Sequence, residues 1–126
     1  MFKIENNVIY CTRGDKGKIP IKIPLNKEHT EFYQFQPKDI LTFGLYNKNQ
    51  LNEDAIILKD YEVPETTDLV KIPLSSEETK IGELINKEKE YWYEITLNHE
   101  ETILGYTIEE KGKKFWLLPE GSDKKC

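Results

Sequence analysis

Tyr91-Trp92-Tyr93-Glu94-Ile95-Thr96-Leu97 decides how this chain is read. Apolar side chains recur at every second position, Tyr91, Tyr93, Ile95 and Leu97. That is the two-residue period of a strand, not the 3.6-residue period of a helix. Aromatic and β-branched residues fill the segment, and these suit a pleated, half-buried surface. The alternate positions carry Trp92, Glu94 and Thr96, so one face is apolar and the other mixed. A large aromatic on the mixed face is either buried beneath a second layer or available to a partner.

Working downstream, Asn98 to Glu101 reads as a turn into a strand over Thr102–Glu109. Lys111-Gly112-Lys113 reads as another turn, into a strand Phe115-Trp116-Leu117-Leu118. Working upstream, Ser75 and Glu78 stand at capping-box spacing and Ile81, Leu84 and Ile85 follow as an apolar stripe. This predicts one helix of about two to three turns, with Gly82 weakening it. Before it, Thr67–Leu74 predicts a strand with Val70, Ile72 and Leu74 inward. Asp39–Tyr46 and Ala55–Val63, joined by the polar turn 47–53, suit an antiparallel pair.

Residues 26–38 form a long connection whose Phe32, Tyr33 and Phe35 can fold back over one end of the core. Ile19, Ile21, Ile23 and Leu25 alternate with Pro20, Lys22 and Pro24. Proline donates no ladder hydrogen bond, so this strand belongs at a sheet edge or is only partly paired. Two short runs around Asn6-Asn7 predict a tight hairpin at the start. Short strands punctuated by turns predict a mainly β fold, a sandwich or small barrel, with one domain over 1–120 and a polar tail over 121–126.

Charge narrows the function. The 126 residues carry 18 basic and 23 acidic side chains, a net charge of -5, and Arg13 is the only arginine. Binding to a phosphate backbone needs clustered Lys and Arg, so nucleic acid is excluded as a partner. No apolar run reaches the length of a membrane span, and MFKIENNVIY lacks the hydrophobic stretch of a signal peptide, so synthesis in the cytosol is expected. Cys11 and Cys126 are then expected to stay unpaired, Cys11 packing as a small apolar side chain.

Catalytic constellations are missing from the sequence. There is no G-x-S-x-G elbow, and His29 and His99, the partners a Cys11 nucleophile would need, both lie in polar loop sequence. Two His and two Cys show no paired zinc spacing, 47–54 lacks the spacing and glycine of a calcium loop, and the glycines are scattered singly. The expectation is a protein without enzymatic activity, metal or cofactor. Arg13-Gly14-Asp15 matches a cell-adhesion tripeptide, yet Gly-Asp after a strand is ordinary turn chemistry, and a turn is the better reading. Aromatics offer the remaining candidate site: Trp92, Tyr106 and Trp116 are singled out as partner-contact residues.

The order of motifs resembles small tail and baseplate proteins of phages of Gram-positive bacteria. Ile9-Tyr10-Cys11-Thr12-Arg13-Gly14-Asp15, then Gln36-Pro37-Lys38-Asp39-Ile40-Leu41-Thr42-Phe43, then Tyr91 to Leu97, and finally Gly112 with Phe115-Trp116-Leu117-Leu118-Pro119-Glu120 carry the likeness. It covers roughly residues 2–120, and it is strongest toward the N-terminal domain of the baseplate upper protein. The resemblance implies an immunoglobulin-like antiparallel β-sandwich, here with one short helix. It further implies a structural protein of the virion tail or baseplate, assembled in the host cytoplasm and held by other tail proteins, with homo-oligomerisation open to it. The family's domain precedes a long helical stalk, whereas this sequence ends after the sandwich, so a stand-alone accessory or adaptor is expected. The alternative is a small acidic phage-encoded inhibitor of a host protein, its charge opposing a basic surface. A carbohydrate-binding module is a third reading, resting on exposed aromatics alone.

Overall fold

The computed structural model describes residues 2–5, 8–47, 54–81, 87–100, 102–103, 106–107 and 111–119; of 2–5, 102–103, 106–107 and 111–112 it describes the backbone only. The protein is mainly β. Its strands are β1 (Phe2–Glu5), β2 (Val8–Thr12), β3 (Gly17–Ile21), β4 (Ile40–Tyr46), β5 (Ile57–Glu62), β6 (Val70–Leu74), β7 (Lys89–Leu97), β8 (Thr102–Ile103), β9 (Tyr106–Thr107) and β10 (Lys111–Leu118). Six of them make one sheet in the order β1-β2-β10-β7-β4-β5, β3 and β6 form a separate ribbon, and β8 and β9 pair with each other. All neighbours are antiparallel except β2 and β10, which run parallel with Phe115 opposite Ile9 and Leu117 opposite Cys11.

The alternation of β7 sets the layers. Tyr91, Tyr93, Ile95 and Leu97 are buried, and they lie level with Phe43 and Leu45 of β4 and Phe115 of β10. Ile19 and Ile21 of β3 and Val70, Ile72 and Leu74 of β6 join the same core cluster. The ribbon therefore covers one face of the sheet, and burial of these apolar side chains is the main stabilising term. β3 is shorter than the alternation of 19–25 predicts, and it pairs with β6 alone, in keeping with Pro20, which has no N–H to give a second neighbour. The chain then turns back: Leu25 donates to Glu31 at 2.8 Å, Tyr33 to Ile23 at 2.8 Å, and Phe35 is fully buried against the core.

Three expectations are corrected. No helix occurs among the described residues; Ser76–Thr79 makes a single turn. The capping box itself forms, with Ser75 N donating to Glu78 Oε1 at 2.8 Å and Glu78 N to Ser75 Oγ at 3.1 Å. Two distant contacts then divert the chain. Arg13 Nε donates to the Ile81 carbonyl at 3.2 Å, and Thr79 Oγ1 donates to the Asp15 carbonyl at 2.7 Å, while Ile81 sinks into the core. Residues 82–86, with the rest of the expected helix, lie outside the described residues.

The predicted strand over Thr102–Glu109 is instead a small hairpin, β8 against β9. Lys111-Gly112-Lys113 is strand and not turn, because β10 begins at Lys111 and follows β7 with a register shift between Lys111 and Lys113.

Candidate functional site

Every strand of the large sheet has a second face, turned away from the ribbon. On β7 it carries Glu90, Trp92, Glu94 and Thr96, all half-buried between the buried positions. On β10 it carries Lys114 and Trp116, on β2 Tyr10, and on β4 Thr42, Gly44 and Tyr46. The registers bring the aromatics together. Trp116 stands opposite Tyr10 on one side and Glu90 on the other, and Trp92 stands between Lys114 and Tyr46. Trp92 and Trp116 are thus diagonal neighbours on adjacent strands, within reach of long side chains.

Tyr46 is held flat on this face. A Cβ at Gly44 would approach the Tyr46 ring Cε2 and Oη to 3.0 Å, so only glycine leaves the ring its place. Burial raises the Tyr46 hydroxyl pKa, and the negative charge of Glu94 raises it further. At the other end, Lys114 Nζ and Glu90 Oε2 form an ion pair at 3.3 Å, whose contribution to stability is small because Lys114 is solvated. The arrangement is an aromatic centre with charged neighbours. Such a composition, large aromatics bordered by charged groups, is that of interface centres and rims in general.

Of the three aromatics singled out from sequence, the structure unites Trp92 and Trp116. Tyr106 belongs to β9, outside the large sheet, and its side chain is outside the described residues. Two members of the face are absent from that set, Tyr10 and Tyr46. Both occupy the alternate positions of apolar strands, Tyr10 between Ile9 and Cys11 and Tyr46 after Leu41, Phe43 and Leu45, and this parity is the signal that finds them.

The other chemistry-bearing residues have structural places. Arg13 is only 9% exposed; besides its bond to Ile81, its amide donates to the Leu118 carbonyl at 2.9 Å. Gly14 takes a φ of 86°, and Ser76 Oγ donates to its carbonyl. The Arg-Gly-Asp stretch is a docked turn, with its arginine withdrawn from any receptor. Cys11 is fully buried, and desolvation pushes its thiol up to about 12, which keeps it protonated and unreactive. Cys126 and residues 48–53, the bulk of the weighed calcium loop, lie outside the described residues. His29 and His99 are exposed turn residues with φ of 56° and 65°.

Asp39, from the Gln36–Phe43 motif, ties the start of β4 together. It accepts from Gln36 N at 2.9 Å, Tyr33 Oη at 2.8 Å and Asn98 Nδ2 at 3.2 Å. Burial works to raise its pKa, but these three hydrogen bonds outweigh it and hold the carboxyl below its ordinary value. Among the described residues no group of His, Cys, Asp and Glu is placed to hold a metal ion. No family model, curated protein or solved structure matches the chain.

Proposed function

We propose that this protein is a structural module of a phage or prophage-derived tail particle, working without catalysis through contacts made by the outer face of its large sheet. The observation that carries this reading is the placement of both tryptophans of the chain, with Tyr10 and Tyr46, on the sheet face turned away from the core. Tryptophan and tyrosine with a charged rim are the composition of interface centres, where a few anchors carry most of the binding energy.

The tail assignment rests on the resemblance of four segments. These segments are β2 with its turn, the approach to β4, β7, and β10, which are four consecutive neighbours in the sheet. The four motifs that carry the likeness thus pack side by side within one structural unit. The immunoglobulin-like reading has similar support. The order β5-β4-β7-β10 follows the C′-C-F-G strands of the larger sheet of such a sandwich, and the β3-β6 ribbon corresponds to the B and E strands of the smaller one. The partners on this reading are other tail or baseplate proteins, and the site of action is the virion.

The experiment is co-purification of the intact protein with the proteins encoded beside its gene. Capture of tail proteins, reduced in Trp92→Ala without loss of the melting transition, is the expected result. A gene flanked by early, defence-linked genes and a protein that joins no tail complex would defeat the assignment and place the chain with acidic inhibitors.

A further inference from the structure

β5 ends the large sheet, and among the described residues no strand pairs with its outer edge. Asn98 N donates to the Ile40 carbonyl at 2.7 Å, and Val63 N to the Asp39 carbonyl at 2.8 Å. In β4, then, the even residues bond toward β7 and the odd ones toward β5, where they face Ile57, Lys59 and Tyr61. The N–H and C=O groups of Leu58 and Asp60 consequently point away from the sheet, and among the described residues nothing pairs with them. Leu58 is 69% exposed, and no proline guards the strand.

The inner side of this edge holds three clefts in succession. One of about 430 Å³ lies beside Ile57, between it and Glu77, Glu78, Lys80 and Ile81. One of about 500 Å³ lies beside Lys59, lined by Lys16, Lys18, Pro73 and Leu74. One of about 200 Å³ lies beside Tyr61, with Lys18, Lys71 and Glu65. Lysines crowd the second and third, and Glu65 is the one carboxylate among the residues lining those two. Lys59 is held by Glu78 at 2.8 Å, whereas Lys16, Lys18 and Lys71 have no ion pair among the described residues. In a chain of net charge -5 this is a local reversal of sign.

We propose that the β5 edge accepts an extended acidic segment of a partner protein as an added strand. Its backbone would bond to Leu58 and Asp60, and its alternate side chains, carboxylates among them, would stand over Lys16, Lys18 and Lys59. A second copy of the chain fits less well, because the inner-face residues of another β5 are Ile57, Lys59 and Tyr61, which bring a further cation and no carboxylate. The proposal is independent of the outer-face reading, since it uses the edge and inner side of the sheet.

The test is hydrogen exchange and amide chemical shifts of the intact protein, titrated with a blocked peptide of alternating valine and glutamate, about six residues long, the length of an ordinary strand. Slowed exchange at the amides of Leu58 and Asp60 is expected. Lys16→Glu combined with Lys18→Glu, both exposed side chains, is expected to weaken binding roughly tenfold or more with the melting transition retained. Leu58→Pro, which removes an outward N–H, is expected to abolish it. Equal binding of a valine–lysine peptide, no binding of the acidic one, or indifference to the charge reversals would overturn the proposal. Protection of the two amides that grows with protein concentration in the absence of peptide would also overturn it, assigning the edge to a second copy.

Discussion

The two faces of the large sheet carry the same kinds of side chain in opposite surroundings. On the inner face Tyr91 and Tyr93 are each 2% exposed, and Tyr93 stacks on Phe43 with ring centroids 5.8 Å apart. Phe115 lies 6.3 Å from Phe43 in a tilted contact. On the outer face Trp92, immediately between those two tyrosines in sequence, is half-buried beside Glu90, Glu94 and Lys114. Aromatic content therefore does not separate packing from recognition here. The neighbours do: the inner rings pack on aliphatic and aromatic side chains, with Lys89 Nζ 5.3 Å from the centre of the Tyr91 ring, whereas charged side chains of both signs border Trp92.

The largest expected effect tests the inner face. Phe43→Ala removes a fully buried ring with two aromatic partners and should lower stability by about 3–5 kcal/mol, read by chemical or thermal denaturation. Trp92→Ala should behave differently, weakening assembly by about 2 kcal/mol while the protein stays folded. If Trp92→Ala instead loses as much stability as Phe43→Ala, the outer face is core and the contrast between the faces disappears.

The sequence shows the two faces plainly wherever a strand alternates over its own length. β7 is legible from Tyr91 to Leu97, and the parity that buries Leu41, Phe43 and Leu45 also assigns Tyr46. What it does not show depends on residues far apart. The parallel pairing of β2 with β10 joins the two ends of the chain, and no local pattern encodes it. The helix expected after Ser75 illustrates the same limit. Its capping box is correct, but the chain leaves the helical path because Arg13, 68 residues away, takes the Ile81 carbonyl. Lys111-Gly112-Lys113 has turn composition, and pairing with Glu94 and Tyr93 of β7 makes it strand. For the candidate site, Trp92 and Trp116 were readable by alternation, whereas their meeting on one face needed the register.

A smaller effect sharpens the outer face itself. Gly44→Ala places a methyl group 3.0 Å from the Tyr46 ring and should lower stability by about 1 kcal/mol as the ring shifts. Because Trp92 stands opposite Tyr46, the tryptophan emission should move with it.

The smallest effect is a pH dependence located away from both aromatic groups. The carboxyls of Asp39 and Glu78 have folded pKa values below their ordinary 3.8 and 4.5. In each, burial opposes the shift and hydrogen bonds prevail, from Gln36, Asn98 and Tyr33 for Asp39 and from Lys59 and Ser75 for Glu78. Both groups bind a proton more weakly folded than unfolded, so their stabilisation is complete above those ordinary values and drains away as the pH falls below them. Melting temperature against pH should show this loss, reduced in slope in Asp39→Asn.

The central claim is that the outer face is where the protein meets its partner, and the two tryptophans of the chain both stand on that face. Tryptophan emission and acrylamide quenching therefore report on it alone. On the proposed reading, mixing the purified protein with the proteins encoded beside its gene should shift the emission to shorter wavelength and protect both tryptophans from quenching, in step with complex formation by sizing. A complex that forms while emission and quenching stay at their free values would contradict the claim.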